Sequence, residues 1–246
     1  MPSLSPPTIV MVRPQMGENI GAVARAMMNF GLTDLRLVAP RDGWPNPKAH
    51  EMAAHADYLI EQARVYATVA EALADRQYVL AASARERVMS LPDYSPEAAA
   101  SLLHHCAHAG ESTALLLGPE STGLSNDDMA FAHGIVCIPT DPANHSLNVA
   151  QALVVLAYQW FVAAPSPEPL AQDELPRATV SEREGLYEHL VQELEKKDYF
   201  RPTVKREGML RALRVLLNRT SWSSQEVRTL RGIVRCLGEA QGKSGN

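Results

Sequence analysis

Residues 138–164 read IPTDPANHSLNVAQALVVLAYQWFVAA. They leave an apolar strand, cross a polar cluster, Asn144-His145-Ser146-Leu147-Asn148, and end as a long helix of Ala, Val, Leu and aromatic residues. One N-cap side chain satisfies the orphan N–H groups of a helix start. Ser146 or Asn144 would suffice for that, and the rest of the cluster is surplus to capping. A strand that hands a polar loop to a helix is the last piece of a βα repeat, and the repeat continues upstream. Apolar runs suited to strands occur at Thr8–Val12, Leu35–Val38, Tyr58–Ile60, Tyr78–Ala82, Ala114–Leu117 and Ile135–Ile138. Helical patterns lie between them, over Asn19–Phe30, around Lys48–His55, near Val69–Asp75, over Pro96–Ala109 and near Asn126–His133. Such alternation predicts an α/β fold, a mostly parallel sheet flanked by helices, with its ligand site beyond the carboxyl ends of the strands.

The chain has 246 residues, enough for one substantial core plus an appendage. Nothing at the start has the basic n-region of a signal peptide. No apolar run reaches the roughly 20 residues of a membrane span, and Val149–Ala164 is interrupted by Gln151 and Gln159. Cys106, Cys137 and Cys236 lie far apart without CxxC spacing, which fits a reducing cytoplasm rather than a disulfide framework or a cysteine zinc site. His104, His105 and His108 lack a carboxylate partner at ligand spacing, so no metal is expected.

A formal net charge of −5 conceals an asymmetry. Residues 1–176 carry 9 Lys+Arg against 19 Asp+Glu, whereas residues 177–246 carry 14 against 9. Between the halves, APSPEPLAQDELPRA (Ala164–Ala178) has four prolines and no apolar periodicity, the composition of a linker. Arg-rich positions Arg201, Lys205, Arg206, Arg211, Arg214 and Arg219 follow it. Planar guanidinium groups suit phosphate, so a basic module on an acidic body points to nucleic acid. The expected division is 1–164, an α/β domain that holds the strand-end loops; 165–178, a linker; and 179–246, a basic helical RNA-binding extension that can be cut away near Pro165 without unfolding the rest.

The loops at the strand ends carry the chemistry. RPQMGENIG, ASARERVMSLPDY, GPESTGLSN and PTDPANHSLN are all rich in Gly, Pro, Ser or Asn. GENIG lacks the GxGxxG spacing of a dinucleotide turn, and GxxxxGK[ST] is absent from the chain, which argues against NAD enzymes and P-loop NTPases.

Three of these segments, ENIGAVARAMMNFG (18–31), LLLGPESTGLSN (115–126) and IPTDPANHSLNVAQALVVLAY (138–158), resemble in order and spacing the signature motifs of the SPOUT-class, trefoil-knotted RNA ribose 2′-O-methyltransferases. The tail from Leu186 to Val234 is similar to the C-terminal extension of the bacterial tRNA (cytidine/uridine-2′-O-)-methyltransferases that act on position 32, the first position of the anticodon loop. The resemblance implies a SPOUT fold with a deep C-terminal knot, S-adenosyl-L-methionine as cofactor with S-adenosyl-L-homocysteine as product, and tRNA as partner. It also implies a homodimer through the knot-region helix and the first helix, with Val149, Leu153, Leu156, Ala157 and Trp160 as its apolar face. Alternatives are a 2′-O-methyltransferase for ribosomal RNA or another tRNA site, and a knotted RNA-binding protein without catalysis.

Carried over by position, the cofactor pocket would use Ala82, Ser83, Ala84, Gly118, Ile138, His145, Ser146 and Leu147. Small residues let backbone groups approach a planar purine. Glu120 would order its loop. Two positions depart from the family pattern: His145 replaces a small hydroxyl residue, and Pro119 stands where Arg or Asn is frequent. The catalytic set would be Arg25, Asn19, Ser146 and Asn148, with Asn29 structural within its helix. Methyl transfer from a sulfonium requires an aligned, partly deprotonated 2′-hydroxyl. A guanidinium with a pKa above about 12 is a poor base. Arg25 is therefore expected to grip the adjacent phosphate and polarise the nucleophile, full proton abstraction being the second version and a plain salt bridge the third.

Overall fold

Seven strands form one parallel sheet in the order β3-β2-β1-β6-β4-β7-β5. They are β1 (Thr8–Val12), β2 (Leu35–Val38), β3 (Arg64–Tyr66), β4 (Tyr78–Ala82), β5 (Asp93–Tyr94), β6 (Thr113–Leu117) and β7 (Gly134–Val136). The computed structural model describes residues 4–83, 91–144, 146–163 and 176–239. Strand side chains alternate between faces, and β1 shows the consequence. Ile9 and Met11 enter the core under α1 (Gly17–Asn29), α2 (Pro47–Ala53), α5 (Pro96–His108) and α7 (Val149–Val162). Val10 and Val12 enter the opposite core, under α4 (Val69–Leu73) and α6 (Asn126–Met129). Both faces are covered, so β1 and β6 are buried along their whole length, as parallel strands require.

Three local readings differ from expectation. Tyr58–Ile60 is not a strand but part of α3 (Asp57–Glu61), because Leu59 and Ile60 bury into the core beneath α1 and α2. The strand that pairs with β2 is Arg64–Tyr66, one turn later. The helix after Ser125 stops at Met129, short of His133. There the chain turns back to β4: the His133 N–H donates to the Val79 carbonyl at 2.8 Å, and its ring Nδ1 accepts from the Val79 N–H at 3.1 Å. Short β5 was not anticipated; it pairs with β7 at the sheet edge.

The basic tail folds as α8 (Val180–Glu195), α9 (Arg206–Arg219) and α10 (Ser224–Glu239) around Ala178, Leu186, Tyr187, Leu217 and Val227. Of the proline-rich segment, residues 164–175 lie outside the described residues, while Ala178 N–H donates to the Trp222 carbonyl at 2.7 Å. The tail also docks firmly on the body. Val180 is buried in the core that contains β4 and α6, and its N–H donates to the Arg76 carbonyl at 2.9 Å. Arg177 pairs with Glu111 at 2.8 Å, and Arg211 with Asp127 at 2.6 Å. Asn218 donates to the Ala130 carbonyl at 2.7 Å and accepts from buried Arg183 at 2.9 Å. The tail is thus no loose appendage, and a cut near Pro165 would uncover buried polar and apolar surface of the body.

Candidate active site

The carboxyl ends of β4, β6 and β7 open into a cleft of about 980 Å³, mouth included. Ala82, Ser83, Gly118, Ile138, Ser146 and Leu147 line it together. Two further candidates, Ala84 and His145, lie outside the described residues. The walls also include Leu124, Val149 and Ala152, with Glu120 and Ser121 on the polar side. Leu124, Ser121 and Ala152 were not singled out from the sequence, although Ala152 follows Asn148 by one helical turn and so faces the same way. Gly118 has a packing reason: a Cβ there would come within 2.3 Å of the Leu124 backbone nitrogen. The loop folds that closely because Gly123 turns the chain at φ 66°, a conformation that favours glycine.

Three side chains from distant segments lock the cleft's rim. The Asn19 amide donates to Glu120 at 2.7 Å, and its oxygen accepts from the Asn148 amide at 3.0 Å. The other Glu120 oxygen accepts from the Gln15 N–H at 3.0 Å. Both ends of Asn19 are committed, so its orientation is fixed. Asn148, rather than Ser146 or Asn144, is the N-cap of α7: its Oδ1 accepts from the Ala150 N–H at 2.9 Å while Gln151 returns to the Asn148 N–H at 3.3 Å. Nothing in residues 144–148 distinguished this capping box from a Ser146 cap except Gln151 three positions on.

Below the rim, Arg13 holds the loop after β6 through a two-pronged pair with Asp128, whose carboxylate also caps Ser125. Burial works against the Asp128 charge, but hydrogen bonds from Arg13 and Ser125 outweigh it and keep its pKa below the usual carboxylate value. Arg13 follows a strand at the edge of a quoted motif, which was the signal available for it.

Arg25 stands apart from this constellation. It is exposed on α1, is not among the residues lining the cleft, and has no hydrogen bond or ion pair among the described residues. The salt-bridge reading therefore has no counterpart here. Asn29, one turn later, is exposed as well. The apolar face expected to pair two copies is instead core: Val149, Leu153, Leu156, Ala157 and Trp160 are all buried. His104 explains part of this, stacking on Trp160 at 3.9 Å and contacting its carbonyl at 2.8 Å. The face of α7 turned to solvent carries Val154, Tyr158 and Phe161, the last 66% exposed, with Phe30 of α1 against both rings.

In the tail, four of the six cations singled out are already paired. Arg201 meets Asp198, Arg206 meets Glu195 and Arg211 meets Asp127. Arg214 pairs with Glu184 and sits over the rings of Tyr187 and Phe131, largely screened from solvent. Lys205 and Arg219 have no such partner among the described residues. Those residues contain no group of His, Cys, Asp and Glu that could hold a metal ion, and no helix long and apolar enough to cross a membrane.

Comparison with known proteins gives a consistent picture. Residues 6–158 match the SpoU rRNA Methylase family, and residues 181–245 match the C-terminal domain of the tRNA methyltransferase TrmJ. The chain is 36% identical over 241 residues to the tRNA (cytidine/uridine-2′-O-)-methyltransferase TrmJ of Klebsiella pneumoniae, covering 96% of this chain and 97% of the relative. Identity to the same enzyme of Cronobacter sakazakii is 36% over 236 residues, 93% and 94% of the two chains. The crystal structure of TrmJ from Z. mobilis ZM4 superposes with a TM-score of 0.87 at 46% identity, covering 94% of this chain and 99% of that one. A methylase family protein from Neisseria gonorrhoeae gives 0.67 at 30% identity over 77% of this chain and 96% of its own.

Proposed function

The chain belongs to the SpoU methylase family and carries the C-terminal domain of its TrmJ branch, and on that premise we propose that it methylates the ribose 2′-hydroxyl of cytidine or uridine at position 32 of tRNA, using S-adenosyl-L-methionine. The observation that carries this reading is the cleft of small residues at the carboxyl ends of β4, β6 and β7, closed by the Glu120–Asn19–Asn148 chain. Its lining suits the cofactor. Ala82, Gly118 and Ala152 leave backbone open to a flat purine, Ile138 and Leu147 give apolar walls, and the Glu120 carboxylate favours a cationic ligand nearby. When bound, the cofactor supplies a methyl group on a positive sulfur, already activated for transfer.

The protein then has to align and polarise a hydroxyl. Asn19 and Asn148 keep the rim fixed and orient the ribose, and Ser146 adds a hydroxyl at the cleft. Arg25 has no partner among the described residues, so its guanidinium is available to clamp the neighbouring phosphate and draw charge from the nucleophile. Because Arg25 lies outside the lining of its own cleft, it reaches the site of a second copy: a homodimer through α1 and α7 places the first helix of one protomer over the cleft of its partner. The segment that leads from β7 into α7 would form the crossing of a trefoil knot. Tail and body together hold tRNA in the cytoplasm, where three unpaired cysteines are at home.

Incubation with total tRNA and cofactor, followed by mass-spectrometric mapping, should place 2′-O-methyl at position 32. Methyl groups in ribosomal RNA or at another tRNA position would move the chain to a different branch. Cofactor binding without transfer would make it a knotted RNA-binding protein.

The dimer carries its own prediction. Tyr158→Glu with Phe161→Glu sets carboxylates into the exposed face of α7, where burial in an interface is unfavourable by several kcal/mol, on the order of the usual penalty for an unpaired buried charge. Light scattering should then fall from twice the chain mass to the 26.9 kDa of one chain. Methyl transfer should fall with it, and a variant that stays dimeric would remove α7 from the interface.

A further inference from the structure

Resting on the tRNA reading above, we propose that the solvent face of α10 bearing Arg228, Arg231 and Arg235 is the surface that holds the tRNA sugar–phosphate backbone, and that the paired arginines Arg201, Arg206, Arg211 and Arg214 serve the protein's own fold. Steps of three and four residues put these side chains on one face of the helix. They span about 10 Å of its axis, matching about three successive phosphates of one strand. All three are exposed, and none has a hydrogen bond or ion pair among the described residues. Four acids elsewhere in the tail are engaged: Glu184 with Arg214, Glu193 with Lys196, Glu195 with Arg206 and Asp198 with Arg201.

Packing explains little of the stripe: the Arg231 guanidinium lies beside Gly185 of α8, yet all three side chains remain exposed. Helix α10 meets the tail core through Val227, Leu230 and Val234, so exchanging the arginines for glutamine leaves those apolar contacts in place. An unpaired guanidinium keeps its fork of donors for a planar or tetrahedral oxyanion, which a solvated lysine face would not. The excess of 19 acidic over 9 basic residues in residues 1–176 repels phosphate, leaving the tail as the electropositive side of the molecule. An acidic protein partner would need the same cations, but the enzyme's own substrate is a polyanion and requires such a face.

The test compares wild type with the triple variant Arg228→Gln/Arg231→Gln/Arg235→Gln, and with Arg201→Gln/Arg206→Gln, which removes cations already neutralised by Asp198 and Glu195. Affinity for unmodified tRNA is measured across a salt series, with S-adenosyl-L-homocysteine titration and thermal melting as controls for folding. Each lost phosphate contact flattens the slope of log affinity against log salt by about 0.7–0.9. The triple variant should flatten by about 2 and lose tenfold or more in affinity near 0.1 M salt, whereas the double variant should change slope by less than about 1. Equal slopes for wild type and triple variant, or equal flattening by the two variants, would overturn the assignment while leaving tRNA methylation by the wild type intact. Wild-type protein that neither bound nor methylated tRNA would overturn the assignment and the functional reading together.

Discussion

Replacing Arg25 with Ala is expected to lower methyl transfer to tRNA by about a hundredfold or more, the usual consequence of losing one transition-state charge contact. Affinity for S-adenosyl-L-homocysteine should stay within about threefold, because Arg25 does not line the cleft. Stability should hardly move. The side chain is exposed and makes no hydrogen bond or ion pair among the described residues, and surface substitutions of that kind stay within about 0.5 kcal/mol. Arg25→Lys separates the two chemical versions of its role. Lysine keeps the charge but loses the two-pronged fork, so a phosphate clamp predicts only partial recovery. Radiomethyl transfer beside calorimetric titration reads both quantities, and unchanged turnover in the Ala variant would remove Arg25 from the mechanism.

Asn218→Ala should be the most damaging single change to stability. Asn218 is buried where α9 meets the body, and its amide joins two groups that have little else to bond. One is the Ala130 carbonyl; the other is Arg183 Nε. Burial has already pushed Arg183 down to a pKa of about 10, and its Nη2 has no partner among the described residues. Alanine would strand a second N–H of a buried cation, strand a carbonyl and leave a void. The expected loss is about 3–5 kcal/mol, from one buried donor of a cation and one buried carbonyl each left without a partner. For a domain of this size that lowers the melting temperature by roughly 6–20 °C. Asn218→Asp restores the acceptor for Arg183 and should recover part of the loss. Scanning calorimetry decides it, a shift below 2 °C being the result that contradicts the role assigned to Asn218.

Legibility in the sequence followed the range of the forces involved. The strands Thr8–Val12, Leu35–Val38 and Tyr78–Ala82 were readable to the residue because each is a short apolar run bounded by turn-forming or charged residues. Tyr58-Leu59-Ile60 misled because three apolar residues carry no period, and burial under α1 and α2 made the choice. The inward face of α7 could not be chosen either. Of its 14 residues all but Gln151 and Gln159 are apolar or aromatic and give no stripe to follow, and it was contact with α1 and α5 that buried Trp160 and left Phe161 outside. Small residues after the strands marked the cleft in advance. The pairing of its rim did not show, since Asn19 and Glu120 are 101 positions apart. Equally hidden was which arginines would find acids, Arg211 reaching Asp127 across 84 positions.

The link from Asn19 to Asn148 spans 129 residues, and that distance sets a timetable for the nascent chain. A ribosome adding about 5–20 residues per second needs roughly 6–26 s to deliver the second partner after the first. Throughout that interval α1 waits with the Asn19 oxygen turned to water, and α7, which this contact helps to cap, is still unsynthesised. The rim of the cleft is therefore a late product of translation, finished only when the last helix of the sheet domain leaves the exit tunnel.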